Sequence, residues 1–420
     1  MSSSRDVVIT GLGVASPIGT DIEQFWQSLV TRRSGVVTLR QYQATEPPRP
    51  FGGEIVDFEP GKFVKPRKAL KVMSRDIQIA FAAAEQARLQ AGIESGKVDP
   101  DRYGVAFGAD MIDCDLNELV TPYLKCMVGG RFDFSRWGKE GLAEIFPLWM
   151  LKYLPNMPAC HIAIAHDARG PNNTLTMAEV SSLAAMAEAV RIIERGQADV
   201  MLVGGTSSRL KPHTWLRSGD VRHSQRAASP AAACRPFDAD RDGMVHGEGA
   251  AAFVLESRAH AEARGAPALA RVVACAEACE PCRGRSPQGA AIRRTIRSVL
   301  RASGLDPQGI GHVNAHGLGT TEDDQVEAQA IRETLDGVPV TAPKSFFGNL
   351  EAAAGAVETV ASVLALQHGL VPPTLNYERP DPRCPVNVVH GEPIPVECRT
   401  ALVLNQTRQG HAVAVVLTGP

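Results

Sequence analysis

An α/β fold with a mostly parallel, buried sheet is the reading that three features of the 420-residue sequence support. Short β-branched runs recur along the whole chain. Ala-rich stretches with helical patterning lie between several of them. Glycines follow those stretches where a helix would stop. Apolar runs without strict alternation are the pattern of strands covered on both faces, and strand–helix alternation is the pattern of crossover connections.

The predicted strands, in order, are DVVITGLG (6–13), RYGVAFGA (102–109), ADVMLVGG (198–205), AAAFVLES (250–257), ARVVACAE (270–277), HVNAHG (312–317), NVVHG (387–391), TALVLN (400–405) and AVAVVLTG (412–419). The predicted helices are SRDIQIAFAAAEQARLQAG (74–92), EVSSLAAMAEAVRIIERG (179–196), GAAIRRTIRSVLRASG (289–304) and AAAGAVETVASVLALQHG (352–369). Two segments break the alternation. Residues 110–158, with Tyr123, Phe132, Phe134, Trp137 and Trp149, read as an inserted cap, and the Arg-, Ser- and Ala-rich residues 207–246 read as loop. Neither has linker composition, so one compact unit is expected, and no repeat is visible by eye.

A formal net charge of −2 gives no bulk attraction for nucleic acid or a membrane surface. The start, MSSSRDVVITGLG, lacks an apolar run of signal-peptide length, and no later segment reaches the roughly 18 apolar residues of a membrane span. A cytoplasmic protein is expected. Its nine cysteines are then free thiols rather than a disulfide framework. Cys275, Cys279 and Cys282 have a C-x3-C-x2-C spacing known from iron–sulfur enzymes, but they follow a strand rather than an early barrel loop; small buried or loop thiols are the better reading.

Three strand ends carry polar punctuation. Glu179, after TLTMA, opens an Ala-rich helix, where free N–H groups suit a nucleophile or an oxyanion, and equally a capping carboxylate. His316 lies in NAHGLGT among small residues that let a ligand approach, although a loop His is commonly structural. Lys344 and Asn349 lie in APKSFFGNLEAAAGA before another Ala-rich helix, and Lys344 has the carboxylates of TEDDQVE as ion-pair candidates.

Together and in this order, these motifs resemble the β-ketoacyl-ACP synthases of fatty-acid and polyketide synthesis. The likeness extends through VVITGLGVASPIG, LPNMPACHIAIAHDARGPNNT, QADVMLVGGTSS, RPFDADRDGMVHGEGAAAFVLE, NAHGLGTTEDDQVEAQAI and PKSFFGNLEAAAGAVE. The resemblance implies the thiolase fold, two pseudo-repeated βαβαβ halves in five layers (αβαβα). It places an N-terminal half at 1–257, with the 110–158 insertion and the catalytic-helix start at Glu179. A C-terminal half at 258–420 carries the His316 and Lys344/Asn349 motifs.

Carried over residue by residue, the family's nucleophilic Cys falls at Glu179. Its first catalytic His is His316, its second is Asn349, and its Lys is Lys344 with Asp324 and Glu327 as acidic partners. The first Thr of the HGTGT motif is Leu318, which removes a hydroxyl expected to meet the phosphopantetheine arm; the second is Thr320. The C-terminal glycine-rich loop, which gates the acyl channel in the family, is reduced to Asn405–Gly410 with Gly410 its one obvious glycine.

A carboxylate is a poor acyl acceptor, because attack on a thioester gives a higher-energy anhydride; ordinary acyl-Cys condensation is therefore not expected. Decarboxylation of a malonyl thioester needs no nucleophile, only donors for the developing enolate oxygen, and His316 with Asn349 can supply two. In the family's starter-forming decarboxylases and many chain-length factors Gln replaces Cys, and Glu imitates Gln best when protonated. The first reading is thus a non-standard ketosynthase with Glu-His-Asn in place of Cys-His-His, acting on ACP-bound thioesters by decarboxylation or other altered C–C chemistry. The alternative is an inactive chain-length-factor subunit shaping the channel of an active ketosynthase, although aromatic-polyketide chain-length factors usually lose the His that remains here as His316. Either implies a homodimer, or a heterodimer with another ketosynthase, and an acyl carrier protein partner. No resident cofactor is implied, since phosphopantetheine arrives on the carrier. The basic run Lys62, Lys65, Arg67, Lys68 and Lys71 suits the carrier's acidic surface, or a plain solvated face.

Overall fold

A computed structural model describes residues 6–42, 50–94, 96–111, 114–211, 214, 222–282 and 286–420. Among them eleven strands form one sheet. They are β1 (Val7–Ala15), β2 (Tyr103–Ala109), β3 (Asn172–Leu175), β4 (Val200–Ser208), β5 (Glu248–Ser257), β6 (Ala270–Cys279), β7 (His312–Asn314), β8 (Pro339–Thr341), β9 (Asn387–Val388), β10 (Thr400–Gln406) and β11 (His411–Thr418). Outward from the β1–β6 seam, one side runs β1, β5, β4, β2, β3 and the other β6, β11, β10, β7, β8, then β9. Each side places its first strand at the seam, its last strand next, and its second and third strands farther out, with β9 added beyond them on the second side. The repeat that the sequence does not show by eye is present in the topology.

The sheet is not mostly parallel, as the strand–helix alternation suggested. The outer pairs β2–β3, β2–β4, β7–β8, β7–β10 and β8–β9 are parallel. The inner pairs β1–β5, β1–β6, β4–β5, β6–β11 and β10–β11 are antiparallel. A strand covered on both faces reads as a continuous apolar run whichever way its neighbours point, so patterning could not separate the two cases.

Five helices set the layers: α1 (Arg75–Gln90), α2 (Ser181–Glu194), α3 (Ala290–Ser303), α4 (Thr321–Thr334) and α5 (Ala354–His368). Helix α1 covers β1, β4 and β5 from outside, and α3, backed by α4, covers β6 and β11. Helices α2 and α5 pack on each other between the halves, and each touches strands of both. That middle position explains why α5 is buried almost end to end and mostly apolar all round, with Glu358 its one acidic residue.

Residues 114–156 form short helical turns and a small strand pair, with Tyr123, Phe132 and Trp137 packed ring against ring at 5.1 and 5.7 Å from Tyr123. Leu116, Val120, Leu124, Val128, Phe134, Phe146 and Met150 leave an apolar outer face. Part of the segment read as loop, 212–213 and 215–221, lies outside the described residues; 222–246 holds one helical turn at Pro230–Ala232. Cys275 and Cys279 share strand β6, where four residues of extended chain put about 13 Å between their Cα atoms. Burial pushes the Cys275 thiol up to about 12. Among the described residues no helix is long and apolar enough to cross a membrane.

Candidate active site

The site lies where β3, β7 and β8 end and α2 and α5 begin. After β3 the chain turns through Ala178, whose φ of 50° is left-handed, a conformation that strains a residue with a Cβ. Ser181 closes the turn: its Oγ donates to the Ala178 carbonyl at 2.6 Å and accepts from the Met177 N–H at 2.8 Å. Glu179 is thereby set just before α2 with only 8% of its surface exposed. Burial pushes its carboxyl up; its own backbone N–H pulls the other way, and the nearby Asp110 adds to the rise.

After β7 the chain enters the 315–320 loop, which is held from below by two carboxylates of α4. Glu327 accepts the N–H groups of His316 at 2.7 Å and Gly317 at 2.8 Å. Asp324 accepts those of Gly319 at 2.9 Å and Phe237 at 2.8 Å, and Arg241 lies 3.6 Å from it. Gly317 is required here: φ is 50°, and a Cβ would sit 2.6 Å from that of Ala342. Asp324 and Glu327, three residues apart on one helix face, therefore serve the loop amides and are not the direct partners of Lys344. Burial raises Glu327 to about 8 and Asp324 to about 6.

The partner of Lys344 is Glu358, the lone charge of α5, which also accepts from Asn405 Nδ2 at 2.6 Å. Lys344 Nζ also lies 3.2 Å from His316 Nδ1. An ammonium only donates, so Nδ1 accepts and the ring hydrogen sits on Nε2. Burial, with the Lys344 charge, holds His316 well below its ordinary value, and the imidazole is a neutral donor. Asn349 completes the set, with Nδ2 at 3.5 Å from Glu179 Oε1 and 3.2 Å from Met244 Sδ.

Glu179, His316 and Leu318 share a cavity of only about 10 Å³, closed over by Thr407 and Arg408. A second space of about 160 Å³ lies beside it, lined by Ala178, Glu179, Met244, Leu318, Glu351, Arg408 and Gln409. A larger cavity of about 420 Å³, between Phe63, Phe81, Tyr103 and His166, is at the far end of β2 and holds none of these groups.

Two family models match the chain, the β-ketoacyl synthase N-terminal domain over residues 4–261 and the C-terminal domain over 269–378. The chain belongs to the β-ketoacyl synthase family. It is 33% identical over 395 residues to the 3-oxoacyl-[acyl-carrier-protein] synthase 2 of a Synechocystis species, covering 92% of each chain. It is 32% identical to the tetracenomycin polyketide synthase ketoacyl synthase alpha subunit of Streptomyces glaucescens, covering 100% of this chain and 98% of that one. Among solved structures it is similar to the ishigamide ketosynthase/chain length factor, with a TM-score of 0.84, 27% identity and full coverage of both chains. Its fold is the thiolase-like α/β fold of that family.

In this member of the family the other sequence-predicted residues separate. Leu318 lines the Glu179 cavities. The Thr320 hydroxyl donates to Asp323 at 2.6 Å, at the start of α4. Gly410 was expected at the substrate channel, but it lies against Glu280 and Cys282: a Cβ there would come within 2.5 Å of the Glu280 carbonyl. The β10–β11 connection is a tight turn that points Gly410 away and leaves Arg408 and Gln409 to line the cleft. Lys62, Lys65, Arg67, Lys68 and Lys71 are all exposed; Lys62 pairs with Glu59 at 3.1 Å and Lys65 Nζ donates to the Gly61 carbonyl at 3.0 Å.

Glu358, Glu351, Asp110 and Arg408 are site residues that the sequence reading did not single out. A lone Glu inside the apolar run AAAGAVETVASVLALQ was the available signal for Glu358, because such a charge is buried only with a partner. Nothing local marks Asp110.

Proposed function

We propose that this protein decarboxylates malonyl thioesters presented by an acyl carrier protein, without passing through an acyl-enzyme. The observation that carries the reading is the Lys344–His316 contact, which leaves Nε2–H as the donor of a ring that lines the space shared with Glu179. Asn349 Nδ2 supplies a second donor there. As the C–C bond of the malonyl group breaks, CO2 departs and the electron pair moves onto the thioester oxygen, where the two donors meet it. The carbon then takes a proton, and the Glu179 carboxyl, which burial raises, is the acid at hand. Glu179 stands where the family resemblance puts the nucleophilic Cys. As a neutral acid it has the shape and polarity of the Gln found at that place in decarboxylating relatives. Each such donor typically contributes about 3 to 4 kcal/mol to the transition state, or 10²–10³ in rate.

A second reading, a chain-length-factor-like subunit, is favoured by one observation. The space between Glu179 and His316, about 10 Å³, holds one water at most. The apolar outer face of residues 116–150 suits a ketosynthase partner in either case. The basic run Lys62–Lys71 suits the acidic surface of a carrier protein, whose phosphopantetheine arm would enter past Leu318 and Arg408.

The test is incubation with malonyl-ACP, following acetyl-ACP by intact mass. Turnover that Glu179→Gln preserves and His316→Ala abolishes supports the decarboxylase. No conversion in any variant supports the partner subunit, and co-purification with a second ketosynthase chain is then expected.

A further inference from the structure

We infer that Glu351 and Glu179 share a single proton across the cleft, and that Glu351, on the solvent side, passes protons to Glu179. The relay role rests on the decarboxylase reading; the shared proton does not. Both side chains line the same space of about 160 Å³. Glu179 is buried, whereas Glu351 keeps a partly exposed surface. Asn349 connects them: its Nδ2 lies 3.5 Å from Glu179 Oε1, and its Oδ1 accepts the Glu351 N–H at 3.3 Å. The backbone is strained on both sides of this bridge, with φ of 50° at Ala178 and 46° at Glu351. Left-handed residues with a Cβ cost about 1 to 2 kcal/mol each, and such strain is characteristic of functional sites.

The surrounding charges leave little to neutralise two carboxylates. Asp110 acts on both, and it already holds Arg209 at 3.2 Å, the Ser207 hydroxyl at 2.7 Å and the Ala352 N–H at 3.3 Å, so Arg209 is committed there. Lys344 acts on both from below but is committed to Glu358. His316 is neutral, and at the mouth Arg408 lies 3.9 Å from Asp323. Two carboxylates facing one largely buried space disfavour each other's ionisation, so one proton stays with the pair. Burial, and then the charge of Glu179, hold Glu351 well above the ordinary carboxyl range.

During turnover the Glu179 O–H bond breaks as the new C–H bond forms on the enolate carbon. Glu351, a carboxylate while Glu179 holds the shared proton, then takes a proton from water at the solvent side and passes it to the Glu179 carboxylate. One proton is consumed for each CO2 released, which balances malonyl thioester to acetyl thioester. Glu351 touches no reacting atom and is a relay, not a catalytic residue.

The experiment is a pH titration of the unliganded full-length protein, reading the infrared carbonyl stretch of protonated carboxyls with ¹³C-labelled glutamate. Wild type, Glu179→Gln and Glu351→Gln are compared. A shared proton predicts that each variant lowers the remaining partner's midpoint by about one pH unit or more. Midpoints unmoved in both variants overturn the pair, whatever the malonyl assay gives. For the relay, Glu351→Gln should lower kcat at least about tenfold with KM unchanged and remove the alkaline limb of the wild-type pH profile, with Glu351→Asp restoring both; a profile identical to wild type overturns it. A coupled titration without malonyl turnover would sink the decarboxylase reading and the relay but leave the shared proton standing.

Discussion

The Nζ of Lys344 lies 3.2 Å from the Nδ1 of His316, inside a region where Lys344 exposes none of its surface. A charged lysine so placed needs a counter-charge, and Glu358 stands on its other side. The pair therefore does two things: it neutralises a buried charge, and it fixes which ring nitrogen of His316 carries hydrogen.

Removing one member should be worse than removing both. Lys344→Met leaves a buried, uncompensated Glu358, and a loss of about 3 to 5 kcal/mol is expected. The Lys344→Met/Glu358→Leu double variant should recover most of that loss. Urea denaturation of the two single variants and the double variant measures the coupling. Additive losses would mean that the two side chains are not a pair.

The raised carboxyl of Glu179 gives a pH signature in stability. A carboxyl whose folded-state pKa lies above the unfolded value holds more protons when folded. Its stability contribution then falls as pH rises from the ordinary 4.5 toward the raised value. Glu327, raised to about 8, and Asp324, raised to about 6, slope the same way. The stability of Glu179→Gln minus that of wild type reports Glu179 together with the Glu351 carboxyl whose titration it raises. That difference should grow in favour of the variant between pH 5 and pH 8, a window chosen to span typical raised carboxyl values. A difference that stays constant with pH would show that Glu179 titrates normally.

How much of this was readable in the sequence differs from residue to residue. Glu179, His316, Lys344 and Asn349 follow recognisable strand ends; parallel β7 and β8 deliver their C-terminal ends together, and the packing of α2 on α5 brings the end of β3 alongside. The strands themselves were legible from β-branched runs, but their directions were not. The partners were harder. Asp324 and Glu327 sit in the acidic run TEDDQVE next to Lys344 in motif order, which invites an ion pair; yet α4 turns both toward the loop amides of 316–319. Gly410 reads like a channel glycine, and only the packing against Glu280 assigns it otherwise. Pairings made across more than a hundred residues, such as Asp110 with Ala352, leave no local trace.

Glu280 provides a test away from the cleft. Its carboxylate accepts the N–H groups of Gln288 at 2.8 Å, Gly289 at 3.1 Å and Ala290 at 2.8 Å, capping α3 from a distance of eight to ten residues. Charge-assisted caps of this kind are worth about 1 to 3 kcal/mol. Glu280→Ala should cost that much in urea denaturation while leaving any malonyl-ACP turnover within about twofold, a change of less than 1 kcal/mol. A large loss of turnover at unchanged stability would tie this loop to the cleft.

Gly410 discriminates between a gating loop and a structural turn. Its φ is 85°, its N–H donates to the Thr407 carbonyl at 3.0 Å, and its carbonyl accepts the Glu280 N–H at 2.9 Å. An added Cβ would meet the Glu280 carbonyl at 2.5 Å and the Cys282 sulfur at 2.7 Å, and the first of these is backbone that cannot swing aside. Gly410→Ala should therefore lose about 2 to 4 kcal/mol, combining left-handed strain with overpacking. A channel glycine would behave differently, with little change in stability and a shift in the acyl lengths accepted. Arg408 and Gln409 carry that second role, since they line the space beside Glu179. Arg408→Gly should enlarge the cleft and raise binding of acyl-ACP, measured by fluorescence anisotropy of the labelled carrier, without the stability loss of Gly410→Ala. Equal effects of the two variants on stability and binding would contradict this division of the turn.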